Sequence, residues 1–205
     1  RLNRNGTVDS TFAGAANNSV NDILTLADGR IVASGAFTAI NGFPSINHVA
    51  RMYPDGRLDA DTNVTVLGGP PFDMLSLPGG KTLIAGSFTS VGGVARQGMA
   101  RLSWTGANDS TFANPQLVGS AYALAVQPND QYLVGGDFTS AGGTGQAKIA
   151  RFNSNGVIDG TFAPTFAFGA STAWVNSIAI QPDGKILVAG QFTTVNGSTQ
   201  NRVVR

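Results

Sequence analysis

The sequence predicts an all-β chain: a β-propeller of four-stranded antiparallel blades, about 50 residues per repeat, with four repeats present. Three observations carry this. A row-start motif recurs as RLNRNGTVDSTF from Arg1, RMYPDGRLDADT from Arg51, RLSWTGANDSTF from Arg101 and RFNSNGVIDGTF from Arg151. A second motif recurs as Gly35-Ala36-Phe37-Thr38, Gly86-Ser87-Phe88-Thr89, Gly136-Asp137-Phe138-Thr139 and Gly190-Gln191-Phe192-Thr193, each followed within a few residues by Gly42, Gly93, Gly143 or Gly197. No segment holds a 3.6-residue apolar period long enough for a helix, because Gly or Pro breaks nearly every window.

Within each repeat the strands are named a, b, c and d. The segments ILTLADGRIVASGAF, MLSLPGGKTLIAGSF, LAVQPNDQYLVGGDF and IAIQPDGKILVAGQF each hold two apolar runs about a turn, giving strands a and b. Asp28-Gly29 and Asp183-Gly184 suit a tight hairpin, whose central residues need positive φ. Strands c and d follow in HVARMYPDGRLD, GMARLSWTGAND and KIARFNSNGVID, folded about Gly56, Gly106 and Gly156, with Gly6 in the first row. Rows two and three depart in places: Asp61-Thr62 replaces Thr-Phe, and Asn129-Asp130 replaces Asp-Gly. A solenoid of stacked hairpins is the rival architecture; four strands per unit favour the propeller.

The segment IAIQPDGKILVAGQFTTVNG, followed by a row start such as RFNSNGVIDGTF, closely resembles the delta-sixty repeat of bacterial kelch-like propellers, and the resemblance covers essentially the whole chain. It implies a propeller in a large secreted or envelope protein of a bacterium, with no general catalytic motif to carry over. Residues 1–205 are expected to form a single propeller domain or a segment of a larger one, with repeats starting near 1, 51, 101 and 151. The chain opens at strand c and ends at Arg202-Val203-Val204-Arg205, again approaching strand c. This overlap favours a longer array over a closed ring of four.

Composition bounds the function. Apolar residues make up 42% of the chain, enough to bury a core, and charged residues 12%. The net charge is +1, with 13 basic and 12 acidic residues interspersed, so there is no one-signed field to draw nucleic acid or anionic lipid. No apolar run reaches membrane-spanning length. There is no Cys and the only histidine is His48, which rules out Cys-His catalysis and multi-histidine metal sites. No cofactor is expected.

In an up-and-down meander the a–b and c–d turns share one end, and the b–c and d–a connections share the other. The first class is short and Gly-centred. The second varies in length and composition, as recognition loops on a rigid scaffold do. On that face Phe43, Phe166, Phe168 and Trp174 are candidate ligand-binding aromatics for a glycan or protein on a cell surface; for Phe166 and Phe168 the alternative is packing against a neighbouring blade. The Asn/Asp-Gly loops at Asn3–Asp9, Asp55–Asp59 and Asn153–Asp159 supply too few carboxylates for calcium. The row-start arginines read as inter-blade forks. Gly142-Gly143-Thr144-Gly145-Gln146-Ala147-Lys148 lacks the phosphate-loop spacing, and nothing singles out Asp22, Asp73 and Asp137 as a catalytic group. Repetition in every blade argues for architecture, so the chain is expected to be a binding module and not an enzyme, or alternatively an assembly module joined to further repeats of the same parent chain.

Overall fold

The computed structural model describes residues 1–62 and 64–205. Asn63 lies outside the described residues. Among the described residues there is no α-helix, only two 3-10 turns, Ala60–Thr62 and Pro78–Gly80.

The first blade comprises β1 (Val20–Thr25), β2 (Ile31–Gly35), the hairpin β3 (Ala39–Ile40) and β4 (Phe43–Pro44), and β5 (Val49–Met52). The second holds β6 (Val66–Leu67), β7 (Pro71–Leu77), β8 (Lys81–Gly86), β9 (Ser90–Val91), β10 (Val94–Ala95) and β11 (Met99–Leu102). The third holds β12 (Ala121–Val126), β13 (Tyr132–Gly136) and β14 (Ile149–Phe152). The fourth holds β15 (Phe166–Ala167), β16 (Trp174–Ile180), β17 (Ile186–Gln191), β18 (Thr194–Val195), β19 (Ser198–Thr199) and β20 (Val203–Val204). The main sheets run β1-β2-β5, β7-β8-β11, β12-β13-β14 and β16-β17-β20, all antiparallel. Strand a of each blade packs on strand a of the next, β1 on β7, β7 on β12 and β12 on β16. Strands such as Leu83-Ile84-Ala85 are apolar on both faces because a sheet covers each face.

Two features correct the expected blade. The main sheets have three strands and not four, and none closes on itself. Strand d is reduced to one bridge per repeat: Leu2 to Val8, Met52 to Leu58, Leu102 to Asn108 and Phe152 to Ile158. The cause is local. In the first, third and fourth rows the Asp one residue later turns its carboxylate back on the chain, accepting the amides of Thr11 (3.0 Å), Thr111 (3.0 Å) and Thr161 (2.9 Å), so the backbone curls away after one rung.

The same aspartates anchor the row-start arginines. Arg51 Nε donates to Asp59 at 3.0 Å, and Arg101 Nε to Asp109 at 2.8 Å. A second arm crosses to the c–d turn of the next blade. Arg1 donates to the Pro54 carbonyl at 2.8 Å, Arg51 to that of Trp104 and Arg101 to that of Ser154 at 2.6 Å. Arg101 and Arg151 also lie over Phe112 and Phe162, each 4.8 Å from the ring centroid. Each blade buries a phenylalanine at the same position after strand b: Phe37, Phe88, Phe138 or Phe192.

Candidate ligand-binding face

The two variable connections of each repeat meet and pair. In the first blade the Asn41 amide donates to the Ala15 carbonyl at 2.7 Å, and Asn41 Oδ1 accepts the Ala15 amide at 2.7 Å. In the second, β6 pairs with β9. In the third, Gly142 N–H reaches the Pro115 carbonyl at 2.7 Å. In the fourth, β15 pairs with β18, and Asn196 repeats the role of Asn41 toward Thr165. The b–c connection is therefore a hairpin, not a loop. Its turn holds Asn41-Gly42, Gly92-Gly93, Gly142-Gly143 or Asn196-Gly197, all at positive φ (51° and 77°, 59° and 77°, 60° and 72°, 51° and 76°), as the favoured two-residue turn requires.

At the same end every inner strand carries a bulge. The register skips one residue between Val20 and Asp22, Pro71 and Asp73, Ala121 and Ala123, and Val175 and Ser177. The skipped residues are Asn21, Phe72, Tyr122 and Asn176, and a bulge re-aims its side chain. The phenyl ring of Phe72 tilts against Tyr122 with centroids 5.6 Å apart. Tyr122 Oη donates to Asp137 Oδ2 at 2.7 Å, and Lys148 Nζ to the Asp137 carbonyl at 2.7 Å. Asp22 accepts the Met74 amide of the next blade at 2.9 Å, and Asp73 the Leu124 amide at 2.7 Å. Burial pushes the Asp73 carboxyl up; the Leu124 amide opposes that and the charge of Asp22 adds to it. Burial, with the Asp137 carboxylate, likewise raises the Tyr122 hydroxyl. The result is a band of amide, carboxylate and aromatic groups along the inner wall.

Of the four aromatics chosen from sequence, Phe43 lies in the first blade and the other three in the fourth. Phe43 is exposed on the hairpin of the first blade. Phe166 is half-buried and edge-on to Phe192 at 5.0 Å, and Phe168 lies under the Arg202 guanidinium at 4.4 Å, both within the packing of the third and fourth blades. Trp174 is half-buried at the start of β16. Asp22 and Asp73 stand close enough to interact, while Asp137 joins the band through Tyr122. Sequence reasoning missed Phe72, Tyr122, Asn21 and Asn176, although their identical place near the start of each a strand was visible.

The profile of a domain of unknown function, the DUF5122 β-propeller, matches residues 26–61, 77–112, 127–162 and 181–205, more than half of the sequence. The chain belongs to the DUF5122 β-propeller family. The family's unit is thus about 35 residues and runs from the end of strand a through d; the d–a connections and most of each inner strand fall between matches. No curated protein matches the chain in sequence. Among solved structures, it is similar to PorZ, an essential bacterial surface component of the type-IX secretion system of Porphyromonas gingivalis (TM-score 0.52, 17% identity, 93% of this chain and 27% of that one). It is similar to the extracellular domain of BT4673 from B. thetaiotaomicron (TM-score 0.51, 14% identity, 94% and 23%). It is also similar to XC5397 of Xanthomonas campestris, a gluconolactonase important in glucose secondary metabolic pathways (TM-score 0.53, 18% identity, 93% and 61%). The DUF5122 chain spans less than two thirds of each. The last likeness corrects the expectation that the chain is not an enzyme: a gluconolactonase carries this fold, so architecture repeated in every blade does not exclude catalysis. No helix among the described residues is long and apolar enough to cross a membrane.

Proposed function

We propose that this DUF5122 propeller is a secreted or surface-exposed binding module of a bacterium, and that it takes a glycan at the mouth formed by the four bulges and their flanking hairpins. One observation carries the reading. The backbone places Asn21, Phe72, Tyr122 and Asn176 at the same register position, yet two of them are amides and two are aromatic. Structural positions in the same repeats keep one residue type, as the buried phenylalanines do. Aromatic faces beside amide and carboxylate groups suit the apolar and hydroxyl sides of a sugar ring. Phe43 and Trp174 extend this surface, with Phe166 and Phe168 supporting it from the blade interior. The motif of the fourth repeat supports a place among the delta-sixty repeats, and PorZ and BT4673 supply precedents for surface placement.

The test is binding to an array of bacterial and host glycans, followed by titration calorimetry of any ligand found. Tyr122→Ala and Asn21→Ala are each expected to weaken binding about tenfold, or 1.4 kcal/mol, with Phe43→Ala weakening it less. Binding unchanged in both variants, or silence across the array, sinks the glycan reading. A second reading, an assembly module in a large envelope protein, is supported by the likeness to PorZ, a surface component of a secretion system.

A further inference from the structure

One position of the repeat is filled differently in the second blade. The residue before strand c takes a positive φ in every repeat: His48 (68°), Gly98 (73°), Lys148 (69°) and Arg202 (67°). In the first and third blades its side chain folds back on the end of strand b, with His48 Nδ1 2.9 Å from the Gly35 carbonyl oxygen and Lys148 Nζ donating to the Asp137 carbonyl at 2.7 Å. Gly98 has no side chain to do this. Leu117, on the connection into the third blade, packs there instead: a Cβ on Gly98 would lie 2.8 Å from that of Leu117.

Beside Leu117 opens a cleft of about 340 Å³, at the small end of the range for small-molecule sites. Both of its walls belong to internal repeats. Ser87, Thr89 and Gln97 line it from the second blade, and Leu117, Val118 and Ser120 from the connection into the third. The main chain of Gln97 is engaged, its amide donating to Asn114 Oδ1 at 3.4 Å and its carbonyl accepting the Leu117 amide at 3.2 Å. Its carboxamide is exposed and has no hydrogen-bond partner among the described residues. Val118 is 56% exposed although Leu117 beside it is buried. Aliphatic surface next to two hydroxyls and a carboxamide matches the two sides of a sugar ring, one of C–H groups and one of hydroxyls.

The cleft is continuous with the band of the inner wall. Asp137 Oδ1 accepts the Ser120 amide at 2.8 Å, and Asp137 Oδ2 the Tyr122 hydroxyl at 2.7 Å. No charged residue lines the cleft, so nothing in it offsets the cost of taking a carboxylate out of water. The Asp137 carboxylate behind Gly119, 3.2 Å from where a Cβ of that residue would sit, adds repulsion. We propose that this cleft holds a neutral sugar residue, with its C–H face on Val118 and its hydroxyls on Ser87, Thr89 and Gln97. The subsite rests on the glycan reading and adds to it a selection against acidic sugars.

The unaltered chain and its Gln97→Ala, Val118→Glu and Tyr122→Ala variants are applied to one array of neutral and uronic-acid-terminated oligosaccharides, and the shortest oligosaccharide bound is then titrated against each by calorimetry. Binding to neutral ends alone is expected. Gln97→Ala should weaken it about fivefold, the loss of one hydrogen bond, and Val118→Glu roughly tenfold or more. Melting temperatures should stay in place, because both side chains are exposed; should Val118→Glu melt early, Gln97→Ala decides alone. If Gln97→Ala and Val118→Glu bind as the unaltered chain does while Tyr122→Ala is weaker, the sugar sits at the bulges, which overturns the subsite and leaves the glycan reading standing. Equal or tighter binding to uronic-acid ends overturns the subsite as well. Silence of the unaltered chain across the array overturns both.

Discussion

Gly136 has no room for a side chain. A Cβ there would lie 2.0 Å from the Ser120 carbonyl oxygen, and the same contact recurs at Gly35, Gly86 and Gly190 with the carbonyls of Ser19, Pro70 and Trp174 at 2.1, 2.3 and 2.2 Å. The Gly-x-Phe-Thr motif thus records a close approach of the inner strand just before its bulge. The motif itself could be read from the sequence; its cause could not, because the clash is with a backbone some sixteen residues away in the chain. The atom in the way is main chain, so neither partner can yield without shifting the bulge. Gly136→Ala is expected to destabilise the fold by about 2–3 kcal/mol, read as a lower urea midpoint at unchanged slope. Gly145→Ala is the control: nothing lies within 4 Å of that position, and its urea midpoint should barely move.

At the scale of the element, the d aspartate joins three parts of a blade. Asp109 accepts from Arg101 of strand c at 2.8 Å, Lys81 of strand b at 3.0 Å, and the Thr111 hydroxyl at 2.6 Å. Burial pushes its carboxyl up, but those donors together hold it well below the usual carboxylate range. Asp9 and Asp159 are lowered to about 2, first by the hydroxyls of Thr11 and Thr161. A carboxyl depressed in the folded state stabilises the fold above its unfolded value and ceases to do so as pH falls toward the native one. The blades should therefore lose stability from about pH 4 down to about pH 2. Asp109→Asn is expected to lower the melting temperature at pH 7 and to flatten its decline over that acid window; an unchanged acid limb would show that other groups govern it. The inter-blade arginine fork was legible, because a charge recurring between apolar neighbours needs partners. The hairpin of the b–c connection was also legible in Asn41-Gly42 and Asn196-Gly197, yet reads as a loop when only shared glycines are compared. The missing fourth strand was not, since two apolar residues after a turn look the same whether they make one rung or four. Nor was the bulge, which the next blade stabilises through amide contacts to Asp22 and Asp73.

Among the described residues the main sheets pack on those of neighbouring blades, so stability is close to a sum over blades and interfaces. The second and third blades are covered on both sides, and β8 and β13 are almost wholly buried. The first and last are covered on one side, with β1 largely exposed and β17 half-buried. Local opening should then begin at the ends and reach the centre last. Hydrogen exchange is expected to find the slowest amides in β8 and β13 and the fastest main-sheet amides in β1 and β17. Equal protection in all four main sheets at low concentration would contradict the additive picture, because it would mean that the blades open together as one closed unit.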